Sequence, residues 1–437
     1  MIAQGQPLLV QDVIDARPLG RFQCIAIGLC ILVAVLDGFD TQTIGMLAPS
    51  IAASLGVPVK SFGPAFSAGL IGMLLGAVTL GPLADRYGRK TMIVFSCVLF
   101  GSLSLATAHV TTLEQLFVLR LLTGVGLGGA LPNAIALASE YAPQRYARTT
   151  VTTLMCGMPL GAVLGGVVSA ALLPRAGWQS VFIVGGVLPL AVAVLIALVM
   201  PESARFLLAR GRDMKQLAHI MRRIAPELRG DERYRSADTT ARTTGVPIRL
   251  LFTEGRALGT VLLWIPYFLN LVVLYFIVSW MPAVLLGAHQ PASAGIAAIS
   301  AFSVGGVLSS VVQGALMNRL GARRVLLCEL LACAALMLVL GTWPEDYALV
   351  VAASFAIGAV VQGAQAGFNA LAAEFYPTHM RATGVGCAVG IGRIGSISGP
   401  VLGGMLLAWN WSPGAIFMAG IVPAMIAAVA VAANRSK

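Results

Sequence analysis

Apolar runs of about 20 residues, the length a helix needs to cross a bilayer, recur along almost the whole chain between short polar connections. They predict twelve helices, near 22–49, 62–83, 91–109, 113–139, 149–173, 178–200, 258–286, 292–316, 323–341, 347–373, 382–408 and 412–433, numbered here 1 to 12. The longest polar insert, 201–257, lies between helices 6 and 7 and divides the chain in two. The expected organisation is an N-terminal tail 1–21, a six-helix bundle 22–200, a linker 201–257, a second six-helix bundle 258–433 and a C-terminal tail 434–437. Before helix 1 there is no basic start followed by a small-residue cleavage site, so the first apolar run reads as a retained span.

Composition agrees and excludes a soluble protein. Of 437 residues, 58% are hydrophobic and only 11% charged, where soluble domains carry about 25% charged residues. The seven cysteines are scattered through apolar stretches without CxxC pairs, and the four histidines have no partners at metal-ligand spacing. No metal, cofactor or disulfide framework is expected, and no nucleophile and base fall at one depth to suggest an enzyme.

Charge gives an orientation. All but four of the 29 Lys and Arg lie in the two tails or in the connections after helices 2, 4, 6, 8 and 10; the exceptions are Lys60, Arg175, Arg120 and Arg393. Positive residues mark the cytoplasmic side, so both termini are expected inside. The formal charge of +11 is thus divided among membrane flanks and does not point to nucleic acid. The linker, with twelve basic and seven acidic residues and a short amphipathic stretch near 213–224, is expected to lie wet against the anionic inner leaflet.

The two halves repeat. At an offset of 234 residues, Gly124, Gly129, Glu140, Pro143, Gly161 and Gly165 fall on Gly358, Gly363, Glu374, Pro377, Gly395 and Gly399. One residue out of that register, GPLADRYGRK at 81–90 falls on GALMNRLGAR at 314–323. Two like-oriented bundles suit a carrier in which one rocks against the other around a site at mid-depth.

GPLADRYGRK resembles the signature of the major facilitator superfamily of secondary transporters. In that loop Asp85 can accept from a helix N-terminus or from Arg145 or Arg148, while Arg86, Arg89 and Lys90 hold the inner face; Asn318 replaces the acid in the second copy. LDGFD at 36–40, GVGLGGALPNAIALASEY, PESARFL and FYPTHMRATGVG leading to GIGRIG narrow the likeness to the aromatic acid:proton symporter family. The resemblance implies the twelve-helix major facilitator fold in a bacterial inner membrane. It also implies proton-coupled import of an aromatic carboxylate such as 4-hydroxybenzoate, protocatechuate or benzoate; the working unit is expected to be a monomer. It lends weight to Glu140 and Arg381, which with Arg145 and Glu374 sit at helix ends as gate or latch residues.

The charges inside apolar helices carry the chemistry. Asp37 and Asp40 share one face of helix 1, about 20 Å into it, and an isolated charge there costs at least about 2.5 kcal/mol. Such a pair can hold and release a proton, or it can form a salt bridge to Arg120 or Arg393; Arg120 either joins this proton network or serves structure. Arg393, flanked by Gly390, Gly392 and Gly395, is placed to grip a substrate carboxylate with two parallel hydrogen bonds. Gly38 opens backbone to substrate or to a neighbouring helix. On helix 7, Trp264, Tyr267 and Asn270 are candidates for the ring, set against packing roles. A symporter of a non-aromatic acid such as a dicarboxylate, and an exporter of drugs or lipophilic compounds, stay open as alternatives.

Overall fold

Helix 1 spans Arg21–Leu55, and its end is set by Gly56, whose φ of 66° reverses the chain without the Cβ clash any other residue would meet. This is a computed structural model that describes residues 8–210, 214–228, 234–235, 248–377 and 380–434. Among these residues, eleven continuous apolar helical segments are long enough to cross a bilayer. One of them, Gln144–Val199, is two spans, because Gly177 has φ 72° and ψ 173° and breaks helix 5 from helix 6. The protein is therefore an all-α polytopic membrane protein of twelve spans.

The other spans are helix 2 (Gly63–Tyr87), helix 3 (Arg89–Thr107), helix 4 (Leu113–Tyr141), helix 7 (Ala257–Gly287), helix 8 (Ala292–Leu320), helix 9 (Ala322–Thr342), helix 10 (Tyr347–Phe375), helix 11 (Arg381–Ala408) and helix 12 (Pro413–Ala419 with Ile421–Ala433). Several run past their apolar core into the flanks, as helix 1 does beyond residue 49, because good helix formers continue the hydrogen-bond ladder into the polar layer. The described chain near residues 8 and 434 and the described parts of the linker share one side, here the terminal face.

The sequence repeat is repeated in space. In hydrocarbon, helices are joined by close backbone packing rather than by hydrophobic burial, so small residues fix the crossings. A Cβ on Gly161 of helix 5 would strike the Val35 carbonyl of helix 1, and a Cβ on Gly395 of helix 11 would strike the Phe268 carbonyl of helix 7. Likewise Gly124 of helix 4 meets the Gly69 carbonyl of helix 2, and Gly358 of helix 10 meets the Phe302 carbonyl of helix 8. Each pair occupies the same place in its half. The tight turn after helix 2 and its equivalent after helix 8 also match, with Gly88 at φ 100° and Gly321 at φ 87°.

Away from the terminal face the two halves share one core: Phe39, Ile44 and Leu47 pack with Phe276, Val278, Trp280 and Phe302. The seam is tight there. A Cβ on Gly45 would strike the Val278 carbonyl, Ser67 Oγ donates to the Ile397 carbonyl at 3.0 Å, and the Phe66 and Trp280 rings meet edge-on at 5.2 Å. Toward the terminal face the core divides between the halves, around Tyr141 and Leu154 with a small cluster at Leu80 in the first and around Phe368 and Tyr376 in the second, while Tyr275 and Ile397 still pack across onto the first. The halves thus share one core on the far face and keep separate cores toward the terminal one.

The linker departs from expectation. Its helix Met214–Ile224 does not lay its apolar face on lipid: Leu217, Ile220, Met221 and Ile224 pack into the first half beside Val10, Val13 and Ile14. A protein surface offers that stripe closer packing than mobile lipid chains do. A two-residue parallel pairing of Leu8–Leu9 with Tyr234–Arg235 ties the N-terminal segment to the linker.

Candidate functional site

Helix 1 carries Asp37 and Asp40 into the interior, where both are almost fully buried. Asp40 Oδ2 accepts from Arg120 Nη1 at 3.0 Å, and Arg120 Nη2 donates to Thr107 Oγ1 at 2.9 Å. The Arg120 guanidinium also lies 5.1 Å over the Phe182 ring. Asp37 accepts from Thr41 Oγ1 at 3.2 Å, one turn on. Among the described residues, Asp37 Oδ2, Asp40 Oδ1 and Arg120 Nε have no hydrogen-bond partner, so the network is incomplete.

Arg393 enters from helix 11. It is half-buried, and its charge acts on Asp37, Tyr267 and Tyr275, yet its side chain makes no hydrogen bond or ion pair among the described residues. Two acids and two arginines are therefore gathered between the halves, with one acid–arginine pair closed and one arginine uncommitted. Asp40, Arg120 and Tyr275 border a cavity of about 40 Å³. That is room for about one water and not for an aromatic ring.

Four candidate residues fall elsewhere. Gly38 is a packing position: a Cβ there would strike the Met158 carbonyl of helix 5, so the neighbouring helix takes its backbone face. Trp264 Nε1 donates to Tyr376 Oη at 3.1 Å and lines a lateral groove with Phe268 and Ile426, outside the charged cluster. Tyr267 donates to Asn369, and Asn270 Nδ2 donates to the Val361 carbonyl and Gln365 Oε1 at 3.1 and 3.0 Å. These bonds tie helix 7 to helix 10. Tyr275 is the helix 7 aromatic that reaches the Asp40 cavity.

At the terminal face the clasp is built differently from the expected one. Asp85 is exposed and unpaired among the described residues, and Arg145 Nη2 donates instead to the Arg17 carbonyl at 2.6 Å. The Arg148 side chain lies outside the described residues. Arg89 pairs with Glu140, which also accepts from Ser203 Oγ. Glu202 takes the helix-terminus role expected of Asp85, accepting from Lys90 N at 3.0 Å at the start of helix 3. Arg86 stacks on its neighbour Tyr87. In the second half Asn318 and Glu374 are exposed, and Arg381 Nε donates to the Tyr376 carbonyl at 3.4 Å.

Sequence reading missed Thr107, Glu202 and Ser203, although the PESARFL segment contained the last two. It also missed Glu329 of helix 9, a buried acid that accepts from Gln313 Nε2 at 3.1 Å. Glu329 faces Gly363 as Ser96 faces Gly129 in the first half, so the repeat puts a carboxyl where the other copy has a hydroxyl.

The model of the Major Facilitator Superfamily matches residues 30–297 and 263–436. The chain belongs to the major facilitator superfamily. Within that superfamily it is 40% identical to the 4-hydroxybenzoate transporter PcaK of Pseudomonas putida, over 98% of this chain and 96% of that one. It is 37% identical to the gallate transporter of the same organism, over 98% and 95%. It therefore falls among the aromatic acid:proton symporters, a family of carriers and not of enzymes. A bacterial homolog of the human lysosomal transporter Spinster, solved in an inward-facing and unoccupied conformation, has the same fold, with a TM-score of 0.67 and 17% identity over 94% of this chain and 96% of that one.

Proposed function

We propose that the protein imports an aromatic carboxylate together with a proton across the bacterial inner membrane by alternating access. The relatives named for 4-hydroxybenzoate and gallate support a hydroxylated benzoate as substrate. The observation that carries the reading is the uncommitted Arg393 beside Asp37, between two halves that part toward one face. A guanidinium so placed can take a carboxylate in two parallel hydrogen bonds, and an arginine cannot give up its charge to suit an empty state.

The terminal face is assigned to the cytoplasm, where the basic tails and connections gather. On that assignment the conformation described is inward-facing, sealed by the Gly45–Val278 and Ser67–Ile397 contacts. We assign the proton to the Asp37 and Asp40 pair, whose free oxygens and incomplete network can accept it. With Asp40 protonated, Arg120 loses its full ionic partner and helix 1 its hold on helix 4. The bundles 22–200 and 258–433 then move about the loaded site, and the linker 201–257 tethers them. One chain holds the complete charged set, which favours a monomer as the working unit.

Purified protein in proteoliposomes tests the reading, with an imposed pH gradient, labelled 4-hydroxybenzoate, and protocatechuate, gallate, benzoate, vanillate and muconate as competitors. Accumulation above equilibrium, abolished by dissipating the gradient and competed best by hydroxylated benzoates, is expected. Stronger competition by muconate would move the substrate to non-aromatic acids.

A further inference from the structure

At the terminal face, helix 1, the end of helix 6 (178–199) and the linker helix enclose a pocket of about 370 Å³. Three guanidinium groups border it: Arg21 at the first residue of helix 1, and Arg222 and Arg223 on the linker helix, all exposed. None of its lining residues is acidic. Glu227, next to the lining residue Pro226, is already paired with Arg17. Arg223 is held over the Phe22 ring at 4.7 Å, while Arg21 and Arg222 have neither a hydrogen bond nor an acidic partner among the described residues.

Below these charges the wall becomes apolar. Ile25 of helix 1 and Val199 of helix 6 line it and are 52% and 40% exposed, and neighbouring Leu198 is 79% exposed on the membrane flank. The linker helix has committed its apolar stripe to the first half, which leaves Arg222 and Arg223 exposed at the pocket. A free anion would satisfy the arginines but leave the apolar wall wet. A phospholipid satisfies both, since its phosphate sits at the depth of a helix end while its chains run down the adjoining spans.

We propose that this pocket binds one anionic glycerophospholipid, its phosphate held by Arg21, Arg222 and Arg223 and an acyl chain along Ile25 and Val199. A zwitterionic lipid carries its own cation and gains less from three unpaired arginines. Bound there, the lipid cross-links the start of the first span, the end of the sixth and the linker.

The test uses full-length protein, delipidated in a neutral detergent, with native mass spectrometry and competition against a spin-labelled phosphatidylglycerol. One phosphatidylglycerol per chain is expected, held at least about tenfold more tightly than phosphatidylcholine of the same chains. The variant Arg21→Gln/Arg222→Gln/Arg223→Gln is expected to lose that preference, while Arg175→Gln on the opposite face keeps it. Glycerol phosphate, the headgroup without chains, is expected not to displace the lipid. Should the triple variant fail to fold, Arg222→Glu at its exposed position makes the same comparison and is expected to cut the preference at least threefold. No preference in the wild type, an unchanged preference in the variants, or displacement by glycerol phosphate as effective as by lipid overturns the proposal.

Discussion

Asp40 and Arg120 form an ion pair at 3.0 Å with side chains only 2% and 4% exposed, joining helix 1 to helix 4 beside the cavity they share with Tyr275 of the second half. Asp37, one turn earlier, has a hydroxyl partner and no directly bonded cation. Two acids three residues apart therefore differ in what their loss would do.

Both Asp37→Asn and Asp40→Asn should abolish gradient-driven accumulation, since each removes a titrating group. Stability should separate them. Asp40→Asn leaves Arg120 charged and buried without its counter-ion, a loss of about 3–5 kcal/mol, whereas Asp37→Asn should melt near the wild type. Adding Arg120→Gln to Asp40→Asn should restore much of the melting temperature without restoring transport. Thermal denaturation in detergent with matched uptake assays checks this, and equal melting of the two single variants would show that the Asp40–Arg120 pair carries no such weight.

Arg393→Lys should weaken substrate binding by at least about tenfold, because a lysine keeps the charge but not the planar pair of donors. Folding should be little affected, since the Arg393 side chain makes no hydrogen bond or ion pair among the described residues. Calorimetric titration with 4-hydroxybenzoate decides it; unchanged affinity in a folded variant would move the anchor away from helix 11.

The clasp at the terminal face gives a contrast in kind. Arg89→Gln removes the partner of buried Glu140 and should lower the melting temperature. Asp85→Asn alters an exposed side chain with no partner among the described residues and should leave melting unchanged. If Asp85 meets its cation when the terminal face closes, that variant should instead lower maximal rate with binding intact, and Asn318→Ala should be milder. Normal transport by Asp85→Asn, or an equal defect from Asn318→Ala, would dismiss an asymmetric latch.

Gly45→Leu should prevent the far-face seam from closing, because any Cβ at that position meets the Val278 carbonyl. Packing within each half is unaffected, so the protein should fold and remain open outward, binding substrate but turning over at least about tenfold more slowly. Spin-label distances between the far ends of helices 1 and 7 should lengthen. Wild-type distances and rates would mean that the seam yields to a side chain.

The glycine seams show how far the repeat could be read from the chain. Gly124 with Gly358 and Gly161 with Gly395 were paired by offset alone, because crossings in lipid demand small residues at fixed intervals and leave that spacing in the sequence. Which carbonyl each glycine meets was not legible. Gly38 sits between two acids and was open to substrate or to a neighbouring helix; it packs on helix 5, a choice the sequence does not make because one turn of helix offers two faces.

The solvent and the repeat are legible along the chain: runs of apolar residues can only be spans, and Asp37, Asp40, Arg120 and Arg393 stand out because lipid tolerates charge so poorly. How those charges divide is a matter of packing in three dimensions. Asp40 takes Arg120, Arg393 stays uncommitted, and Glu202 displaces Asp85 at the start of helix 3. Such pairings depend on the rotation and height of helices far apart in the chain, which ångström-scale packing fixes and which periodicity along one helix does not encode.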